Sequence, residues 1–244
     1  MRLIRVYADT ALHGPGRATL VGPAAAHVSR VLRLRAGDAV TLFNGDGWEY
    51  PGVIEALRGD RVDVDLQAQK PGLPDSPLAI TLLQAVARAE RMDLVVQKAT
   101  ELGVARIVPV LAERSVVRLD DRQAGRKLGH WRAIAVSACE QCGRSRLPVI
   151  EEPCGLATAM SAVATVEQRL LLAPGAAEPM AGLPARGGGV ALLVGPEGGL
   201  TEAEESLAAR AGFLCRSLGP RILRTETAAI AAIAVLQARG GDLR

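Results

Sequence analysis

Three prolines and a glycine fall within the eight residues Lys70-Pro71-Gly72-Leu73-Pro74-Asp75-Ser76-Pro77. Proline fixes φ and removes a backbone donor, so neither a helix interior nor a central strand can pass through such a segment. It divides the chain, and the two sides follow different periodicities. Upstream, Ala39-Val40-Thr41-Leu42-Phe43 and Arg61-Val62-Asp63-Val64-Asp65-Leu66 alternate with period two, bounded by turn residues at Asn44-Gly45-Asp46-Gly47 and Arg58-Gly59-Asp60. That pattern predicts a small β-barrel over residues 1–72. Downstream, apolar runs at 79–86, 105–110, 169–173 and 190–194 alternate with helical stretches, the first at 90–102. Strands separated by helices predict an α/β domain with a mostly parallel sheet over residues 73–244.

With 244 residues and 49% hydrophobic composition, both parts can bury a core. The 29 Lys and Arg against 26 Asp and Glu leave a net charge of only +3, so affinity for a polyanion has to come from clustered arginines. Rings are scarce: Tyr7, Phe43, Trp48, Tyr50, Trp131 and Phe213 are the whole supply, which argues against serial base stacking. The cysteines Cys139, Cys142, Cys154 and Cys215 form no disulfide framework, and Met1-Arg2-Leu3-Ile4-Arg5 lacks a signal-peptide core, so a reducing cytoplasm is the expectation. Cys139 and Cys142 are a single pair, and His13, His27 and His130 have no ligand spacing; neither a metal site nor a hydrolase triad is expected. The apolar run 228–236 is shorter than the roughly 20 residues of a membrane span. Lacking a polar face, it predicts a helix buried in the core or at a subunit contact.

Chemistry concentrates near Ala191-Leu192-Leu193-Val194-Gly195-Pro196-Glu197-Gly198-Gly199-Leu200, a buried strand that ends in a glycine turn. Thr201 can cap the following helix, with Glu204 at the capping-box position and Glu202 and Glu205 in the first turn. Gly212 can close that helix. Ligands of open α/β sheets bind at such strand ends, and glycine lets them approach the backbone. No Lys-Ser or Lys-Thr pair follows, and the spacing is not the dinucleotide fingerprint. Glu197 and the three glutamates beyond it oppose phosphate, which favours a ligand without one, such as S-adenosylmethionine (SAM). A tight turn with no ligand fits the same pattern.

A second segment, Ser217-Leu218-Gly219-Pro220-Arg221-Ile222-Leu223-Arg224-Thr225-Glu226-Thr227-Ala228-Ala229, follows the next predicted strand. Together with the Gly-Pro-Glu-Gly-Gly turn it closely resembles the RsmE family of 16S ribosomal RNA uridine-N3 methyltransferases. The resemblance extends to Glu140-Gln141-Cys142-Gly143-Arg144 and to His27-Val28-Ser29-Arg30-Val31-Leu32-Arg33, so it touches nearly the whole length. It implies an N-terminal PUA-like β-barrel that helps hold RNA and a C-terminal SPOUT domain threaded into a trefoil knot. It further implies SAM as cofactor, the small ribosomal subunit or its 16S RNA as partner, and a homodimer with no membrane association. The implied cofactor pocket comprises Leu172 and Ala173 after Leu171, the turn Gly195, Pro196, Glu197, Gly198 and Gly199, and the loop residues Leu218, Gly219, Ile222 and Leu223.

Methylation at uridine N3 requires loss of the imide proton from an unpaired or extruded base. By motif position, Arg221, Arg224 and Arg144 are candidates for stabilising charge on the uracil oxygens, and Glu226 and Glu140 for accepting the proton. Each has a structural alternative, phosphate grip for the arginines and helix-start acidity for the carboxylates. Arg30, Arg33 and Arg35 in the first part and Arg88, Arg91, Arg114 and Arg118 in the second are candidate phosphate contacts, with a solvated face as their alternative. Two rival functions remain at this level: a SPOUT methyltransferase acting on another RNA position, and a non-catalytic RNA-binding assembly factor.

Overall fold

A computed structural model describes residues 4–183 and 188–243. Its contacts fall into two compact units. One runs to Asp75 and takes in Val136–Leu147; the other comprises Ser76–Ala135 and the chain from Pro148 onward. The first unit is therefore discontinuous in sequence, which the proline segment alone does not reveal.

The first unit holds β1 (Arg5–Tyr7), β2 (Gly16–Val21), α1 (Gly22–Ala26) running into a π-helical turn His27–Val31, β3 (Ala39–Phe43), β4 (Trp48–Arg58), β5 (Arg61–Leu66) and β6 (Lys70–Pro71). Strand order is β1-β3-β4-β5-β2, with β6 pairing β4. Only β1 and β3 run parallel among these pairs. The turn between β3 and β4 is built by its own side chains: Asp46 accepts from the Trp48 amide at 2.7 Å and from the Tyr50 hydroxyl at 2.7 Å. Gly45 and Gly47 supply the positive φ that this turn needs. Inward-facing Val40, Leu42, Tyr50, Ile54, Val62 and Val64 make the core. The proline segment contributes β6, two residues of edge strand, where a missing donor is tolerated.

The second unit is a seven-stranded sheet in which every pair is parallel. Its elements are β7 (Leu78–Ala85), α2 (Ala89–Glu101), β8 (Arg106–Leu111), α3 (Asp121–Cys142, which from Val136 belongs to the first unit), β9 (Val149–Ile150), β10 (Cys154–Gly155), α4 (Leu156–Ser161), β11 (Gln168–Leu172), β12 (Gly188–Val194), α5 (Glu202–Arg210), β13 (Leu214–Arg216) and α6 (Thr225–Gly240). The order β10-β8-β7-β12-β11-β13 places β7 and β12 at the centre, with β9 beside β8. Both faces are covered, which is why these strands read as apolar runs and not as alternation. Along β7, Leu78, Ile80 and Leu82 point into one core with α2, α3 and α6, and Leu83 and Ala85 into the other with α4 and α5. Trp131 of α3 fills the first core.

The run 228–236 lies inside α6, whose Ala229, Ala232, Ile233 and Leu236 are buried against the first core. Ile230, Ala231 and Ala234 remain partly exposed. Among the described residues, no helix is long and apolar enough to cross a membrane.

Candidate functional site

The carboxyl ends of β11, β12 and β13 open into a cavity of about 310 Å³. Its walls are the segments that follow these strands. Leu172 and Ala173 come from the first, Gly195, Pro196, Glu197 and Gly199 from the second, and Leu218, Gly219, Ile222 and Leu223 from the third. Loop and strand end are tied together: the Ala173 amide donates to Arg216 O at 3.0 Å, the Ser217 amide to Glu178 O at 3.0 Å, and the Met180 amide to Ser217 O at 2.8 Å. Gly199, at φ +69°, and Gly219, at φ +84°, both have open space where a Cβ would stand. Backbone is thus laid bare to whatever enters.

Of the sequence-predicted pocket residues, Gly198 alone stays off the cavity wall. It packs on Arg114 instead, whose Nη1 donates to Gly198 O at 3.3 Å and to Leu200 O at 3.2 Å. The α5 start has the capping box that Thr201 and Glu204 foretell: the Thr201 hydroxyl accepts from the Glu204 amide, and the Glu204 carboxylate accepts from the Thr201 amide at 2.9 Å. Glu204 also accepts from the Glu113 amide at 2.9 Å, so the turn, α5 and the loop after β8 are held as one piece.

Glu197 has a different setting from the one its sequence position suggests. Its Oε1 accepts from Arg91 Nη1 at 2.9 Å and from the Arg88 amide at 3.3 Å, where α2 begins without a side-chain cap of its own. Burial pushes its carboxyl up, but its own amide, the Arg88 amide and the Arg91 guanidinium outweigh that and hold it below the usual carboxylate range. A carboxylate that weighs against phosphate when read as a bare charge is already neutralised here. Arg91 also lies 3.9 Å from Glu226. Arg91 and Arg114 are therefore braces of the cavity wall, and Arg114, like Arg88 and Arg118, is exposed.

Arg221 and Arg224 line the cavity and are exposed. Glu226 is buried beyond the cavity wall, its Oε2 without a hydrogen-bond partner among the described residues. Arg144 and Glu140 belong to the first unit. Arg144 is buried 3.6 Å from Asp75, and Glu140 accepts from the Tyr7 amide at 3.0 Å and lies 3.7 Å from His27. Arg30, Arg33 and Arg35 are all exposed, with Arg33 at φ +54° at the end of the π-helical turn. The Cys139 thiol is pushed up, first by its hydrogen bond with Cys142 and then by burial, so it stays protonated. No group of three His, Cys, Asp or Glu among the described residues is placed to hold a metal.

Sequence reasoning missed Thr225, Ala228, Arg216 and Leu200, which line the cavity, and Gln84 behind it. Thr225 stands within the 217–229 stretch, yet nothing in its spacing distinguishes it from a cap. Its hydroxyl donates to Gly195 O at 2.7 Å.

A parallel sheet with this cavity at its carboxyl edge is of the RNA methyltransferase class: the family model for the RNA methyltransferase domain matches residues 74–237, and that for the RNA methyltransferase PUA domain matches residues 22–67. The chain is 33% identical over 217 residues to ribosomal RNA small subunit methyltransferase E of Buchnera aphidicola subsp. Schizaphis graminum, covering 89% of this chain and 88% of that one. It belongs to the ribosomal RNA small subunit methyltransferase E family. Two solved structures are similar over 100% of both chains. One is a Legionella pneumophila methyltransferase in complex with SAM, at 41% identity and TM-score 0.96. The other is ribosomal RNA small subunit methyltransferase E of Neisseria gonorrhoeae bound to SAM, at 36% identity and TM-score 0.92.

Proposed function

We propose that the protein transfers a methyl group from SAM to N3 of a uridine in the 16S ribosomal RNA of the small ribosomal subunit. The observation that carries this reading is the cavity at the ends of β11, β12 and β13. It has the size of a small-molecule site, and its walls combine apolar side chains and exposed backbone with charged residues, Arg216, Arg221 and Arg224 among them. Such walls suit an adenine read by amides and carbonyls. SAM, when bound, supplies a methyl group on a positively charged sulfur. Leu172, Ala173, Gly195, Pro196, Gly199, Leu218, Gly219, Ile222 and Leu223 hold it, and Glu197 fixes the turn through α2. Gly198 supports the turn from behind. Arg221 and Arg224 meet the extruded uracil, where a guanidinium stabilises negative charge on the ring oxygens as the imide proton leaves. Glu226, behind the wall, sets Arg91 and does not meet the base; Arg144 braces the first unit.

In this reading residues 1–72 form a PUA-like barrel, completed by the stretch from 136 to 147, and the rest of residues 73–244 form the SPOUT domain. A trefoil knot is consistent with the strand order. The chain leaves β13 at the sheet edge, passes beside residues 178–180, and enters α6 against β7 and β12. Arg30, Arg33 and Arg35, with Arg88 and Arg118, grip RNA phosphates. The protein works in the cytoplasm as a homodimer, with the partly exposed Ile230, Ala231 and Ala234 of α6 as contact surface.

Mass spectrometry of nucleosides from 16S RNA of cells with and without the protein tests the reaction. N3-methyluridine should vanish in the deletion strain, and an unchanged peak sinks the assignment. Calorimetry should show SAM binding to the wild type and none to Gly199→Leu, which adds a side chain at the cavity wall at a strained φ; normal binding by that variant removes the pocket assignment.

A further inference from the structure

Gln84 is an amide at a place where the sheet otherwise buries hydrocarbon. It lies near the end of β7, fully buried, in register with Val194, the residue that leads into the glycine turn. Its Nε2 donates to Ala85 O at 3.0 Å and to Thr225 Oγ1 at 3.0 Å. The Thr225 hydroxyl has one proton, committed to Gly195 O at 2.7 Å, so toward Gln84 it can only accept. Both partners of the amide nitrogen need a donor, which fixes the amide's orientation. Gln84 Oε1 is consequently buried with no donor among the described residues. A methionine fills similar volume and removes that orphaned oxygen while giving up the two donated hydrogen bonds, and the two effects are of similar size, so the amide brings little net stability.

The hydrogen-bond chain joins two parts of the cavity wall, the first residue of α6 and the first carbonyl of the turn, to the end of β7 behind them. Thr225 and Gly195 line the cavity and Gln84 does not, so its influence on a ligand travels through Thr225. We propose that Gln84 is a positioning residue of the cofactor site, fixing through Thr225 the height of the 195–199 turn relative to the loop before α6. The proposal rests on reading the cavity as the SAM site.

Thermal melting, SAM calorimetry and steady-state kinetics of Gln84→Met and Thr225→Val test it, with Thr225→Ser as the conservative partner. Gln84→Met should melt at or above the wild-type temperature while its Kd and KM for SAM rise roughly tenfold, the worth of about one hydrogen bond, and the KM for RNA stays put. Thr225→Val should show the same split, and Thr225→Ser should restore most of what it loses. Wild-type SAM affinity in a folded Gln84→Met overturns the proposal and leaves the cofactor reading standing. Melting and affinity lost together overturn it as well, since that assigns Gln84 to packing. A wild type that binds no SAM removes the cofactor reading, and the proposal with it.

Discussion

Glu197 joins a glycine turn to the start of a helix more than a hundred positions earlier in the chain. Its charge satisfies α2's free amide end and the Arg91 guanidinium at once. Replacing it by Gln keeps the shape and removes the charge, which should lower unfolding free energy by about 1–2 kcal/mol at neutral pH and weaken SAM binding. The native carboxyl titrates below its ordinary 4.5, so this contribution is complete above that value and disappears as pH falls through the depressed one. Denaturation of both proteins from pH 7 to 3 should show the gap closing only in acid. Tyr50 gives the opposite sign: burial, then the hydrogen bond and charge of Asp46, push its hydroxyl up to about 12. Its contribution is present below the ordinary value of 10 and is lost as pH rises from 10 to about 12, a loss that Tyr50→Phe should not show. Neither setting was legible in the sequence, because each depends on partners brought together by folding. Glu197 read alone is a negative charge in a loop; in the fold it is a cap.

At the scale of elements, what could be read was what local chemistry decides. The capping box of α5 follows from Thr201 and Glu204 being three apart, and it forms. Thr201→Ala should cost about 1 kcal/mol, measured by chemical denaturation. The β3 and β5 strands follow from alternation, and the β7 and β12 runs from burial on both faces. Less legible was α3, 22 residues with charged residues spread through its first half and a glycine at 125 and 129. Its stability comes from Leu128, Trp131 and Ala135 packing on the sheet, a contact that no local signal announces. Within the site, the 195–199 turn was legible because glycine and proline mark it, whereas the segments at 172–173 and 218–223 rested on the family resemblance. Gln84 was not, since one polar residue in an apolar run carries no sign of where its amide points.

Over the whole molecule the net charge is too small to draw RNA by itself, so the separate fates of the arginines decide. Sequence clustering grouped Arg91 and Arg114 with the phosphate candidates; Arg91 is engaged by Glu197, and Arg114, though exposed, has Nη1 on two turn carbonyls. Arg33 and Arg35 are exposed on the first unit. Reversing both charges should weaken RNA binding, flatten its dependence on salt by about one to two in log–log slope, and leave SAM affinity unchanged. A titration series from 50 to 200 mM salt reads all three.

The discontinuous first unit also sets an order of events during synthesis. Arg5 donates to Arg144 O at 3.0 Å and to Ser145 Oγ at 3.1 Å, and the Tyr7 amide to Glu140, so the opening strand waits for residues made much later. A nascent chain that has emerged only as far as the proline segment lacks those partners. Domains that are continuous in sequence can fold in the order they leave the ribosome; this amino-terminal unit is finished only after residue 147 has been translated, when the first segment of its neighbour, 76–135, has already been made and the larger remainder has not.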